Sequence, residues 1–173
     1  NDPGVESVTA TARYAAALGH LLAAGHCHDL LAAAERAMDW CCNQVSDHLP
    51  SGWPCAVFNM KDLLVLFEAL EPHVEAVRHA RWRAQLRAPV PETFYGGHRN
   101  CVFYGTAAEA LRIRLGLSDR IDYIDATLES EFPWWTEFGM YRDPGDPTTY
   151  DLTVRQCLAS MLENGYQGQH LAW

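Results

Sequence analysis

The sequence predicts an all-α protein made of stacked antiparallel helical hairpins. Apolar residues recur at helical spacing along most of the chain, and β-branched alternation over strand-length windows is nearly absent. Gly, Pro and Asn also interrupt the periodic segments where hairpin turns would fall. The 173 residues, 49% of them hydrophobic and 11% aromatic, can supply a core for one domain and are too apolar for a disordered chain.

The first helix is expected over Glu6 to Ala24, with Val8, Ala12, Ala15, Leu18 and Leu22 on its stripe and Gly25 as its stop. The second follows His28-Asp29, with Leu30, Leu31, Ala34, Ala37, Met38 and Cys41 as its apolar face, and runs to Val45 before Pro50-Ser51-Gly52. Val57 to Leu70 carries Phe58, Leu63, Leu64, Leu66 and Phe67, and Pro72 ends it because proline lacks the backbone donor a helix needs. Val74 to Leu86 pairs with it, with Val77, Trp82 and Leu86 expected inward. Pro89 and Pro91 then impose a connector. The third hairpin joins Asn100–Leu115 to a helix from Ile121 to Phe132, with Gly116 between them and Ser118-Asp119-Arg120 available as a cap. A polar connector from Pro133 to Pro147 leads to a last helix over Tyr150 to Leu162. Three pairs and an unpaired seventh helix suggest a single all-helical domain, residues 1–173, that is part of a longer α/α toroid.

Thirteen Lys and Arg against 22 Asp and Glu give a formal net charge of −9. That balance repels phosphate backbones, and no basic stripe overcomes it, so nucleic acid is not an expected partner. The apolar tracts are broken by His20, Asp29 and Glu35 and are too short to cross a bilayer, so no membrane partner is expected. Of the six cysteines, Cys41 and Cys42 are adjacent and most of the others fall on helical segments, which reads as reduced and buried rather than as a disulfide framework. His26-Cys27-His28 lacks the second spaced pair of a zinc site. With no phosphate-binding loop or dinucleotide fingerprint either, no metal and no cofactor is expected.

Chemistry-bearing residues gather in two places. The connector holds Glu137, Tyr141, Arg142, Asp143, Asp146, Tyr150 and Asp151, with Pro144, Gly145 and Pro147 holding it in a turn. The alternative role for Arg142 is to fasten that loop by pairing with Asp143, Asp146 or Asp151. The second place is His98-Arg99-Asn100, after Gly96-Gly97 at the start of a helix, where backbone donors and an arginine suit a carboxylate. Asn100 there is also a suitable N-cap. Trp53, on the loop after Ser51-Gly52, can stack on a sugar ring or plug the end of the core.

Three blocks bear a family resemblance: Trp53-Pro54 through Asp62-Leu63-Leu64, then His98-Arg99-Asn100 with Phe103-Tyr104, then Glu137 to Pro144 with Tyr150-Asp151-Leu152. In their order and arrangement the chain resembles the α/α-toroid carbohydrate-active enzymes of bacteria, in particular heparinase-like polysaccharide lyases and related toroid glycoside hydrolases. Where such relatives tend to show Asn-Asn-Trp, this chain has Arg99-Asn100-Cys101. The resemblance implies an (α/α)6 toroid, incomplete in this chain, acting on acidic, uronate-containing oligo- or polysaccharides, and it favours an exported or periplasmic setting.

For β-elimination, Asn100 and Arg99 would neutralise the uronate carboxylate, Tyr141 or His98 would take the C5 proton, and Arg142 would orient the tyrosine. Trp53, Asp146, Tyr150 and Asp151 would then line the substrate cleft. Hydrolysis would instead need two carboxyls roughly 5 to 9.5 Å apart, with Asp143, Asp146, Asp151 and Glu137 as candidates. A helical-repeat binding module without catalysis is the contrasting class.

Overall fold

The structure, a computed structural model, describes residues 8–52, 55–95, 99–143, 147–168 and 170. It is all-helical: α1 Val8–Ala23, α2 Leu31–Asp47, α3 Ala56–Leu70, α4 Ala76–Arg87, α5 Pro91–Phe94, α6 Asn100–Arg114, α7 Ile121–Glu131 and α8 Pro147–Glu163. Among the described residues the extended pairing is one isolated antiparallel bridge, Trp135 with Tyr141.

The expected elements form, with differences that have local causes. The connector after Pro89 contains a one-turn helix, α5, because Pro91 sits at its first position, where a missing N–H costs nothing. Proline does the same at Pro147, so α8 begins before Tyr150. Pro72 ends α3 in a short 3-10 turn, Glu71–His73. Val77, expected in the core, is 82% exposed, while Trp82 and Leu86 are fully buried. It lies in the first turn of α4, where the inward face is taken by residues bonded to α2.

Four helices stand side by side in one row, α1–α3–α6–α8. Their cross-contacts show that they run parallel. Gly19, late in α1, meets Leu66, late in α3. Phe58 and Tyr104 meet edge to face at 4.5 Å near the starts of α3 and α6, and Glu68 pairs with Arg114 near their ends. Arg114 Nε also donates to Asn164 Oδ1, just past α8, at 2.7 Å.

A second layer holds α2 against α4, also parallel to each other. Arg78 Nη2 and Trp82 Nε1 both donate to the Asp39 carboxylate, at 2.5 and 2.7 Å, and Gln85 Nε2 reaches Ser46 Oγ at 3.1 Å further along. The two layers are joined by hairpins, with α1 on α2, α7 on α6, and Phe67 of α3 stacked on His79 of α4 at 4.4 Å. Alternate helices therefore form one layer and the intervening helices the other, the arrangement of stacked helical hairpins.

One polar group pins the hairpins from within. Arg112 and Glu109 are almost completely buried and bonded to each other at 2.7 Å, and Arg112 also donates to the carbonyls of Leu86 and Pro89 at 3.2 and 3.0 Å. Carbonyls freed at the end of α4 are thus satisfied by a side chain of α6.

Candidate functional site

The heads of α6 and α8 lie at the same end of the row, and the connector between α7 and α8 folds over them. That connector is a tight turn: Thr136 N–H donates to the Met140 carbonyl at 2.8 Å, Gly139 takes φ 72, and Arg142 N–H donates to Trp134 O at 2.7 Å. It is strapped to α8 because Asp151 Oδ1 accepts from Tyr141 N–H at 2.8 Å, and Arg155 bonds both Asp151 and the Gly139 carbonyl. The cation that holds Asp151 is Arg155, one helical turn away, rather than Arg142, which is exposed. Tyr150 and Asp143 are half-buried beside this turn.

The start of α6 touches the connector at Trp134. The Arg99 guanidinium lies 3.9 Å from the centroid of the Trp134 ring, with its Nη1 buried and without a hydrogen-bond partner. Arg99 itself has φ 60, a positive-φ backbone that non-glycine residues seldom adopt. Asn100 is the first residue of α6 and does not cap it, since the capping position falls on Arg99 and carries no side-chain bond.

Tyr141, the candidate base, points inward. Its ring is completely buried, packed on Phe103 at 5.0 Å and Trp135 at 5.7 Å, and its hydroxyl donates to Glu131 Oε2 at 2.7 Å. Burial, reinforced by that bond, pushes the phenol well above its ordinary value of 10. A tyrosine so placed braces the connector. Trp53, His98 and Asp146 lie outside the described residues.

A polar hollow lies elsewhere, along the face of the α1–α3–α6–α8 row. It encloses about 510 Å3. Each of the four helices contributes to it: Arg13 from α1, Lys61, Asp62 and Glu68 from α3, Tyr104 and Arg114 from α6, and Glu163 from α8.

Arg114 holds Glu68 through two parallel bonds of 2.7 and 2.6 Å, which keeps that carboxyl below its ordinary 4.5. Asp62 is in the opposite condition. Burial raises its carboxyl above the ordinary 3.8, opposed only in part by the charges of Arg13, Lys61 and His20. Tyr104, half-buried, is likewise pushed up by burial. The groove thus offers a fixed carboxylate–guanidinium pair at one end and, at its middle, a carboxyl that retains its proton more readily, flanked by cations.

Sequence reasoning took Asp62 and Tyr104 only as parts of larger blocks and passed over Arg13, Lys61, Glu68 and Arg114. One signal was present: Lys61-Asp62 puts two adjacent charges into the middle of the mostly apolar helix Ala56–Leu70. In comparisons with known proteins, no family model, no curated protein and no solved structure matches the chain.

Proposed function

We propose that this chain is part of a carbohydrate-degrading enzyme acting on uronate-containing glycans, with the groove across the four parallel helices as its substrate face, and that the hairpin stack is a segment of an (α/α)6 toroid. The observation that carries the reading is Asp62, a half-buried carboxyl of raised proton affinity in a groove that also holds Arg13 and Lys61. A carboxyl of raised pKa is suited to donate a proton to a glycosidic oxygen, and neighbouring cations suit an acidic sugar. Hydrolysis is therefore the route this site supports best. Glu163, on α8 across the groove, is the candidate second carboxyl.

The β-elimination route retains Arg99, whose unpartnered Nη1 suits a uronate carboxylate, with Asn100 beside it. It loses Tyr141 as base, because that hydroxyl is buried and bonded to Glu131.

The test is incubation of the full chain, or of the longer protein where it is a piece of one, with a panel of acidic polysaccharides, following reducing ends and the ultraviolet absorbance of unsaturated products. Reducing ends without absorbance, lost by about 10²–10⁴-fold in Asp62→Asn, are expected. Absorbance that survives Asp62→Asn would move the assignment to elimination. Tight glycan binding with neither product would identify a binding module and overturn the enzymatic reading.

A further inference from the structure

The six cysteines occupy different environments. Cys41 and Cys157 are buried and pushed up by burial to about 12 and about 11, which leaves them inert as nucleophiles. Cys55 is exposed at the head of α3, on left-handed backbone with φ 55. Cys101 is half-buried in the first turn of α6, its Sγ 3.9 Å from Asn100 Oδ1.

Helices α3 and α6 are adjacent, parallel and in constant register. Glu68 meets Arg114 across 46 residues, and Phe58 meets Tyr104, at the same offset, near the other end of the seam. Cys55 and Cys101 share that offset and lie three residues before the Phe58–Tyr104 pair. Cys55 is the residue just before α3 and Cys101 the second of α6, so the constant register brings both to the head of the α3–α6 seam. Beyond burial and Asp143, the nearness of Cys55 also raises the Cys101 thiol.

We propose that Cys55 and Cys101 form an oxidisable dithiol that a small-molecule disulfide of the glutathione type converts into an intrachain cross-link between the heads of α3 and α6. The exposed Cys55, as thiolate, attacks one sulfur of oxidised glutathione, breaking its S–S bond and releasing one glutathione thiolate. Cys101, as thiolate, then attacks the Cys55 sulfur of the mixed disulfide, forming the protein S–S bond and expelling the second glutathione thiolate. The two cysteine protons end on the two glutathione thiols. The protein loses two electrons and the glutathione disulfide gains them. The bond would join two helices that floor the groove, at the end where Arg99 and Asn100 sit.

The test uses the full chain, reduced and then exposed to oxidised glutathione, with free thiols alkylated before digestion without reductant. The expected result is the loss of two thiols per chain and one linked peptide pair containing Cys55 and Cys101, reversed by dithiothreitol. Cys101→Ser should hold a stable glutathione adduct on Cys55, and Cys55→Ser should lose the linked pair entirely. Both are substitutions outside the buried core, and circular dichroism checks that each variant is folded. A wild-type chain that keeps its adduct on Cys55 without linkage, links Cys55 to a second chain, or loses two thiols even as Cys55→Ser overturns the proposal. None of these readouts depends on glycan cleavage.

Discussion

The Tyr141 hydroxyl and the Glu131 carboxylate share one buried hydrogen bond, and each is the other's main means of tolerating the interior. Tyr141→Phe preserves the ring that packs on Phe103 and Trp135 but leaves the Glu131 oxygen without its donor, a loss of about 1–3 kcal/mol of stability. Urea titration should show that loss, while turnover per folded molecule on any glycan found to be cleaved should be retained. A collapse of turnover with unchanged stability would return Tyr141 to the chemistry. Its role was not legible in the sequence. Tyr141 sits among exposable residues such as Glu137, Phe138 and Arg142, and its ring is held inward by partners distant in sequence such as Phe103 and Glu131.

Two glycines separate the demands of packing from those of helix propensity. A Cβ at Gly19 would lie 2.9 Å from the Leu66 Cα, against backbone that cannot move without parting α1 from α3. At Gly105 it would meet the Tyr95 side chain at 3.5 Å, an ordinary contact. Gly19→Ala should therefore destabilise by about 1–3 kcal/mol, through overpacking. Gly105→Ala should be neutral or stabilise by up to about 1 kcal/mol, because alanine loses less backbone freedom in a helix. Thermal melts of the two variants, shifted in opposite directions or differing by several degrees, check this.

Helices were the most legible level of the fold, since periods such as Leu63, Leu64, Leu66, Phe67 and Leu70 are local. Helix starts were less so: α8 was expected at Tyr150 because Pro147 reads as a breaker until its place in the first turn is known. Which helices stand next to each other is set by close approaches such as Gly19 on Leu66, and sequence spacing does not encode these.

For the whole molecule, opposing titrations shape the response to pH. Side-chain bonds from Arg78 and Trp82, with charge from Arg78 and Arg81, outweigh burial and hold Asp39 below 3.8, and Arg114 holds Glu68 below 4.5. Their folded values lie below their unfolded ones, so the stability they contribute is present above those ordinary values and is lost as pH falls through the lower folded ones. Asp62 has the opposite sign. Its folded value is raised, so stability declines as pH climbs from about 3.8 through that value. Asp62→Asn should remove this decline: the variant should be at least as stable as wild type at neutral pH, and the difference should vanish in acid where Asp62 is protonated. Urea midpoints across pH measure it, and a variant less stable at neutral pH would contradict the assignment.

The same scale explains why the groove escaped sequence reading while the loops did not. Its charges, from Arg13 to Glu163, come from four helices spread along the chain and share a surface only after α1, α3, α6 and α8 align. The parallel sense of that row also gives its ends opposite character. The second layer runs the other way and offsets the net dipole of the molecule, but the four helix starts of the row lie side by side, so its N-terminal rim carries local partial positive charge although the chain as a whole is at −9. A polyanion repelled by most of the surface would then be guided tip-first toward that rim, and added salt, which shortens the reach of such fields to about 10 Å at 0.1 M, would remove the guidance before it removed the contacts.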